Sequence, residues 1–501
     1  MAKYKRYDYS QSVLIPVSLQ EQLVPGTLEF AIHTLVDRRM DMSVFDDNYQ
    51  NDDTGRSAYN PKVLLKVVLL AYSRGLISSR QIERACCENV IFMAMSCNQQ
   101  PDHSTIASFV SSMKDQIKPL FRDILLVCEQ ENLLGGTFFA VDGCKLSSNA
   151  SKEWSGKIED LKKKKEKIEH TIKSFVENHL EKDKAEKTVK EQKSTRRDKQ
   201  IKKLQQQADK IEQWLAGHDK KIGSQGKELQ SNVTDNDSAK MHTSHGTVQG
   251  YNSQAIVDSK HQIIVHGEAI GKGPDNDNLP PVINGAKENL QSIGKAEEYF
   301  ENKILAADSS YHSITNLNKC TEEKLDAYIP DNKFRNRDER FAGRVGYRPQ
   351  SKKFTFADFQ YDYDKDKYIC PNGKRLKRFA KPGPHRGKLL RRYVSKETDC
   401  RACHLRGKCL SSKDAKRRHF TYYADVSGNN ISHAMVKKIG SEKGRKIYPK
   451  RIAIVEPVFA NIRIQKRLDK FNLRGKIKVN IQWLLYCMVH NIEKIANFGF
   501  A

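Results

Sequence analysis

Two short apolar segments of the chain each end in an aspartate that is followed by small or polar residues. Asp142 follows residues 138–141, and Asp308 follows residues 304–307. Both segments have the composition of buried β-strands, and ligands of an α/β sheet gather at the carboxyl ends of its strands. A divalent cation would offset the repulsion between the two carboxylates. Taken singly, each aspartate is more often a surface or capping residue, and Asp142-Gly143 alone is typical of a turn.

A third acid is expected on a helix that packs beside these strands. Glu456 in "YPKRIAIVEPVFANIR" is the candidate, because apolar residues surround it in the sequence. Glu268, in a predicted strand, is interpreted as a residue that supports the metal ligands without binding the metal. Three further acids lie in turn-like sequence and are interpreted as turn residues: Asp258, Asp275 and Asp277.

Four of the eleven cysteines lie close together in the sequence. Cys400 and Cys403 form a C-x2-C pair, with Cys370 upstream and Cys409 downstream. This spacing indicates a tetrahedral thiolate site for a structural Zn²⁺, and His404 could replace one ligand. Such an ion would supply the order that the sparse apolar content of this stretch cannot. The alternative is four unpaired thiols in a loop. The remaining cysteines are expected to be small apolar residues.

The charge of the chain indicates a polyanionic partner. Lys and Arg number 87 against 61 Asp and Glu, which gives a formal net charge of +26. Such an excess attracts and holds phosphate backbones, although a merely soluble basic protein is the alternative. The N-terminal sequence lacks the apolar core of a secretory signal, and no apolar run is long enough to span a membrane. We therefore expect a cytoplasmic protein with reduced thiols and no membrane partner.

The elements that must position these residues change in character along the chain. Caps and apolar spacing in 60–112 predict short helices, which suit a helix-turn-helix assembly or, equally well, a plain helical bundle. Strands alternate with helices in 231–330, which predicts a mixed sheet. The stretch 331–447 is interpreted as irregular, and the chain is helical again from Tyr448.

Residues 157–230 contain two heptad seams and are predicted to form an antiparallel helical hairpin. We expect it to contact DNA or a second protomer, with a passive spacer as the alternative. The two seams consist of Ile158, Leu161, Ile168, Ile172 and Phe175, and of Ile201, Leu204, Ala208, Ile211 and Leu215.

Several motifs together resemble the DDE transposases of bacterial insertion sequences, which have an RNase H-like catalytic core. "AVDGCKLSSNAS" resembles the strand of the first acid, "GYNSQAIVDSKHQIIV" the second and third strands, and "ADSSYHS" the block of the second acid. "PDHSTIASF" and the helical insertion after the first acid are similar to one branch of this family.

The segment around Glu456 is similar to a family signature in which Tyr, Arg, Glu and Lys recur along one helix. Tyr448, Arg451 and Glu456 match the first three. The chain departs from the pattern twice, because the Arg-to-Glu gap is one residue longer and Arg463 stands where Lys is expected. Arg463 follows Glu456 by seven residues, so it is predicted to share its helix face.

The resemblance implies two-metal phosphoryl transfer on DNA. Asp142 would bridge two Mg²⁺ or Mn²⁺ ions, and Asp308 and Glu456 would each hold one. Water would cut a DNA strand, and the 3′-OH left behind would attack target DNA. The implied partners are the element ends and the target DNA, with a homodimer or a higher synaptic assembly. The residues expected to contact DNA are Tyr448, Arg451 and Arg463.

The expected fold class is α/β, with an RNase H-like mixed sheet, an N-terminal helical domain, a coiled-coil insertion and a Cys-rich insertion. The alternative functions are a metal-dependent DNA nuclease or resolvase on the same core, and a non-catalytic sequence-specific DNA-binding protein. The predicted segments are 1–130 (helical, DNA-binding), 131–156 and 231–330 (catalytic core), 157–230 (helical hairpin), 331–447 (Cys-rich) and 448–501 (C-terminal helices of the core).

Overall fold

The computed structural model describes residues 17–48, 57–183, 191–223, 226–243, 246–345, 347, 353–354, 358–362, 364–379, 383–385, 388–410, 412, 414–423 and 428–499. The N-terminal residues in which we find no secretory signal lie largely outside these ranges. The chain forms two compact units. The first comprises Met1–Leu133, Ala460–Leu468 and Leu484–Ala501, and the second comprises Leu134–Phe459 and Asp469–Trp483.

Helices make up the described part of the N-terminal region, as predicted. Asn60 caps the second helix and accepts a hydrogen bond from the Lys62 backbone N–H, and Pro61 occupies its first turn. Ser78 and Asp102 cap the third and fifth helices. The helices are α1 (Leu28–Arg38), α2 (Pro61–Ser73), α3 (Ser79–Glu88), α4 (Val90–Met95), α5 (His103–Ser112) and α6 (Ile117–Gln130).

A six-stranded mixed sheet forms the centre of the second unit, in the order β4-β5-β1-β7-β8 with β6 also paired to β5. β1 is antiparallel to β5 and parallel to β7, which is parallel to β8. Such a sheet is consistent with the expected RNase H-like fold. The strands, together with a separate β2–β3 pair, are β1 (Phe138–Ser147), β2 (Ser155–Gly156), β3 (Ser231–Asn232), β4 (Ala239–Thr243), β5 (Gly246–Asp258), β6 (Ile264–Ile270), β7 (Ile304–Ala307) and β8 (Asp326–Tyr328).

The first strand does not end at Asp142, so the alternative of an Asp142-Gly143 turn is wrong. β1 continues to Ser147, because its antiparallel ladder with β5 runs unbroken from Phe139 to Ser147. A glycine inside a strand often marks a close approach of another group. A Cβ at Gly143 would lie 2.2 Å from the side-chain nitrogen of Gln254. Gly143 therefore makes room for a cross-strand side chain.

Two long helices, α7 (Ile158–Asp183) and α8 (Glu191–Gly217), follow the first strand and pack against each other. Their apolar cluster contains the seam residues Leu161 and Ile211 and also Trp214 and Val233. Lys165 in α7 forms an ion pair of 2.7 Å with Glu212 in α8. The seam residue Phe175 stays 39% exposed, so the packing is closest near the base of the pair. Two further helices of this region are α9 (Leu279–Ser292) and α10 (Ile314–Glu322).

The interpretation of 331–447 as irregular is wrong, because this stretch contains a second six-stranded sheet. Its core consists of Phe359, Tyr368, Leu376, Tyr393 and Phe420. Each short strand supplies only one or two apolar residues between charged ones, so the sequence shows no apolar pattern that would predict strands. Its elements are α11 (Phe334–Arg337), β9 (Gln360–Asp362), β10 (Lys367–Ile369), β11 (Arg375–Arg378), β12 (Gly383–His385), β13 (Lys388–Val394), α12 (Glu397–Arg401), α13 (Arg406–Cys409) and β14 (His419–Tyr423).

The C-terminal region is helical, as predicted, but its helices are not continuous. A π-helical turn, Asn461–Gln465, follows α16, so Arg463 lies outside the α-helix of Glu456. The prediction of a shared face assumes regular α-helical geometry, whereas a π turn takes an extra residue into one turn. The helices are α14 (Gly428–Gly440), α15 (Glu442–Ile447), α16 (Lys450–Ala460) and α17 (Lys476–Phe498). Within the described part of the chain, none of the helices combines the length and apolarity needed to cross a bilayer.

We predict that the aromatic core holds the second sheet together. Leu376 is fully buried, whereas its neighbour Lys377 is exposed on the other face. Leu376→Ala removes buried contacts that typically contribute about 2–5 kcal/mol, so backbone amides of β10, β11 and β13 should exchange faster with D₂O. Hydrogen-exchange mass spectrometry checks this, with Lys377→Ala as the control. Equal protection in the two variants would contradict the prediction.

Candidate active site

Strand register places Asp142 and Asp308 next to each other. β1 and β7 run parallel with Val141 opposite Ala307, so the two aspartates follow at the same level. Both are half-buried. Burial raises the pKa of Asp142, and the negative charge of Asp308 raises it further. Two carboxylates that repel each other at one sheet edge form a binding site for positive charge.

Arg451, in the first turn of α16, compensates part of this negative charge. Its Nη1 donates a hydrogen bond of 2.8 Å to Asp142 Oδ2, and its side chain is only 7% exposed. Burial lowers the pKa of Arg451, but the charge and hydrogen bond of Asp142, together with Tyr448 and the charge of Asp308, outweigh burial, so the net pKa is raised. The Nε atom of Arg451 is buried and has no acceptor among the described residues. Asp142 therefore does not use all the donors of this guanidinium.

Tyr448 lies one turn before Arg451 and belongs to the same site. Its ring packs edge-on against Phe334, with centroids 5.5 Å apart. Burial raises the pKa of Tyr448; Arg451 opposes this increase, and the charge of Asp308 adds to it. Tyr448 and Arg451 thus both lie beside the acidic pair. The contact with DNA that the signature implies for them stays a prediction.

Glu456 lies on the exposed side of α16. It follows Arg451 by five residues, which places it about 140° around the helix from that arginine. A spacing of four residues would give about 40°, and that position is occupied by the buried Val455. Among the described residues, no group of three or more His, Cys, Asp or Glu side chains is arranged to hold a metal ion. The structure thus brings the carboxylates of Asp142 and Asp308 together, whereas Glu456 faces solvent. Arg463 is exposed and belongs to the first unit.

The sequence predicts that Asp275 is a turn residue, but the structure places it in a hydrogen-bond network that reaches Asp308. Its Oδ2 accepts from the Ser310 hydroxyl at 2.9 Å, and that hydroxyl also contacts Asp308. Its Oδ1 accepts from Asn252 and Gln254 at 2.6 and 2.9 Å. Both amides are fully buried in β5. Buried amides need partners, so "NSQ" inside an apolar strand was the sequence signal for a nearby acceptor.

The other competing acids have structural partners. Asp258 is fully buried and accepts hydrogen bonds from the backbone N–H groups of Gly135 and Gly136, at 3.0 and 2.7 Å. It therefore fixes a chain segment and is more than a turn residue. Glu268 forms an ion pair of 2.9 Å with Lys476.

The four cysteines of the Cys-rich stretch, Cys370, Cys400, Cys403 and Cys409, line one cavity of about 30 Å³. Burial raises the pKa of Cys409, and the other three thiols raise it further. Hydrogen-bond donors approach two sulfurs: the Lys374 N–H and the Asn372 amide lie 3.3 and 3.4 Å from Cys370 and Cys403. The Ser395 hydroxyl and the Cys400 sulfur share a hydrogen bond of 3.0 Å. Such donors are typical around metal-bound thiolates. The four sulfurs do not have the arrangement of a metal site, since the described residues contain no group of three or more His, Cys, Asp or Glu side chains that could hold a metal ion.

We predict that Arg451 stabilises the metal-free protein by compensating Asp142. Arg451→Ala leaves a half-buried carboxylate without its partner, which costs less than the ~3–5 kcal/mol typical of breaking a fully buried pair. The thermal midpoint of the variant in EDTA should fall well below that of the wild type, and added Mg²⁺ should recover part of the loss. Lys450→Ala removes the same charge from an exposed neighbouring position and is the control. Equal midpoints for the two variants would contradict the prediction.

Two family models match the chain, one near each end. A "Transposase domain (DUF772)" model matches residues 17–112, which contain α1 to α5. A "Transposase DDE domain" model matches residues 369–496, which contain the four cysteines, Tyr448, Arg451 and Glu456. No curated protein matches the chain in our comparison. The two matches confirm the family that the motifs resemble and identify the chain as an insertion-sequence transposase of the DDE type.

Proposed function

We propose that the protein cleaves and transfers the DNA strands of an insertion sequence by two-metal phosphoryl transfer. The matched families indicate transposition by DDE-type chemistry. The observation that supports two-metal phosphoryl transfer is the position of Asp142 and Asp308 side by side on neighbouring parallel strands. An arginine and a tyrosine from α16 and the turn before it complete a polar site at this sheet edge.

The donor set suits a divalent cation. Two half-buried carboxylates provide the hard oxygen ligands that Mg²⁺ or Mn²⁺ prefers, and burial makes their repulsion costly without added positive charge. Such ions, when bound, would polarise the scissile phosphate and supply a nucleophilic hydroxide. Asp142 and Asp308 would hold them. The guanidinium of Arg451 has a donor left for a phosphate oxygen, and the hydroxyl of Tyr448 lies close by.

Glu456 is proposed as the third ligand on the strength of the signature alone. It faces solvent here, so its participation requires a change in α16 when metal and DNA bind. The neighbouring π turn suggests a route. A π turn between Arg451 and Glu456 would return the carboxylate to the face of Arg451, because one such turn spans five residues.

The exposed face of the second sheet supports DNA as the partner. Arg375, Lys377 and Arg392 alternate with the aromatic core residues and are exposed on the opposite side. Arg417 lies over the ring of Phe379, which is 57% exposed. Cations in this arrangement suit a phosphate backbone. We propose that this face, together with Tyr448, Arg451 and Arg463, contacts the element end or the target DNA.

Joining two element ends to a target suggests more than one active site, so we propose a homodimer or a higher synaptic assembly. The pair α7–α8 begins only eleven residues after β1, so its base is tethered to the strand of Asp142. We propose that its charged arm contacts DNA or a second protomer.

We predict that the three acids are required for cleavage but not for DNA binding. The substrate is a plasmid that carries the DNA flanking the gene, incubated with purified protein and Mg²⁺. Asp142→Asn, Asp308→Asn and Glu456→Gln should each lower cleavage by roughly a thousandfold or more, because each removes a ligand of the ions that stabilise the transition state. Gel-shift affinity should stay close to that of the wild type. Asp277→Asn, at an exposed acid, is the control.

The same assay separates the alternative functions. Cleavage without strand transfer would favour a nuclease or resolvase. DNA binding without cleavage would favour a non-catalytic DNA-binding protein. Full cleavage by Asp142→Asn would rule out the proposed site, whereas full cleavage by Glu456→Gln alone would remove only that residue from it.

We further propose that Cys370, Cys400, Cys403 and Cys409 hold a structural Zn²⁺. The shared cavity and the donors around the sulfurs support this site. We predict one zinc ion per chain in protein purified without chelator, since four thiolates complete a tetrahedral site. Elemental analysis should find the zinc lost in Cys400→Ser and retained in Cys87→Ser, which changes an exposed cysteine elsewhere. A metal-free wild type with unchanged stability would refute this proposal.

A further inference from the structure

Asp275, in the loop after β6, has both carboxylate oxygens fixed by the protein. Oδ1 accepts from the side-chain amides of Asn252, Gln254 and Asn278, at 2.6, 2.9 and 3.2 Å. All three amides are at most 1% exposed. The three amides all donate to Oδ1, and the other oxygen, Oδ2, points at the Ser310 hydroxyl. The orientation of Asp275 is therefore set by three buried groups.

The Ser310 hydroxyl lies between two carboxylates. It contacts Asp275 Oδ2 and Asp308 Oδ1, and the Ser310 backbone N–H also donates to Asp308 Oδ1 at 2.8 Å. A hydroxyl has one proton, so it can donate to only one of the two acids. Donation to Asp275 leaves a lone pair of Asp308 Oδ1 open, whereas donation to Asp308 occupies it.

Tyr311 shows that Asp275 belongs to the same charged cluster as the acidic pair. Its fully buried hydroxyl donates to Gln254, which is itself held by Asp275. Burial raises the pKa of Tyr311, and the charges of Asp275, Asp142 and Asp308 raise it further, in that order. Asp275 is thus close enough to act on the site.

We propose that Asp275 is a positioning residue of the acidic pair. By accepting the hydrogen bond of the Ser310 hydroxyl, it leaves one lone pair of Asp308 Oδ1 open to a divalent cation. Asp275 is not a ligand itself, because its Oδ1 is already saturated with donors and its Oδ2 is used by Ser310. This role rests on the proposed function, in which Asp308 binds such a cation.

Substitutions at the two ends of this contact test the role. In Asp275→Asn the side-chain oxygen can still accept from the buried amides, and the new NH₂ group then donates to Ser310. The serine proton must turn towards Asp308, so cation binding should weaken by roughly 10- to 100-fold, as is usual when a partner of a metal ligand is lost. In Asp275→Asn/Ser310→Ala this forced donation is absent, and affinity should return to that of Ser310→Ala alone. Asp277→Asn, an exposed acid of the same loop, should bind like the wild type.

The probe is Mn²⁺, titrated into zinc-loaded protein and followed by electron paramagnetic resonance. Binding that persists in Asp142→Asn/Asp308→Asn is subtracted as background. Circular dichroism and thermal midpoints check that each variant is folded. A role in folding alone predicts that the double variant binds no better than Asp275→Asn, whereas the positioning role predicts recovery.

The outcomes separate this inference from the proposed function. Wild-type Mn²⁺ affinity in Asp275→Asn, or a double variant no better than Asp275→Asn, overturns the positioning role and leaves the proposed function standing. A wild type that binds Mn²⁺ at the acidic pair but cleaves no DNA overturns the proposed function alone. A wild type that binds no Mn²⁺ at the pair overturns both.

Discussion

Repulsion between Asp142 and Asp308 is the constraint on which the rest of the site depends. The parallel register of β1 and β7 fixes the two carboxylates side by side, and neither can turn fully into solvent because both are half-buried. Arg451 offsets part of the negative charge and forms its ion pair with Asp142. The remaining charge is what a cation would neutralise. The same repulsion that makes the metal-free site costly would thus favour the divalent ion that the proposed function requires.

The central strand β5 carries the polar groups that hold this arrangement. Asn252 and Gln254 point from one face of the strand towards Asp275, and Gln254 also accepts from Tyr311. These amides approach β1 so closely that residue 143 can have no side chain. A Cβ at Gly143 would displace Gln254, which is fixed by two further hydrogen bonds and cannot move away at low cost. Gly143 is therefore part of the site, although it contributes no functional group.

The two aspartates could be predicted from sequence because their signal is local: an apolar run, an acid and then small residues. The contacts of Asp275 could not be predicted from sequence. They join Asp275 to Gln254 on β5 and to Ser310 after β7, which only the folded chain brings together. The second sheet was missed for another reason. Its core comes from single large apolar residues, mostly aromatic, in or beside separate short strands, so no window of sequence shows an apolar period. Local motifs thus indicate the two aspartates, whereas the residues that hydrogen-bond around them become visible only from long-range contacts.

Helix phase explains why two residues of the signature lie beside the acidic pair and the third faces solvent. Tyr448 and Arg451 are one turn apart and reach the site together. The extra residue before Glu456 adds about 100° of rotation, which carries the carboxylate out of the apolar face and into solvent. A π turn absorbs an extra residue, but the one observed begins at Asn461, after the acid. The π turn therefore does not correct the helix phase at Glu456, because it lies after this residue. The orientation of the Glu456 carboxylate depends on where along the helix the extra residue between Arg451 and Glu456 is taken up.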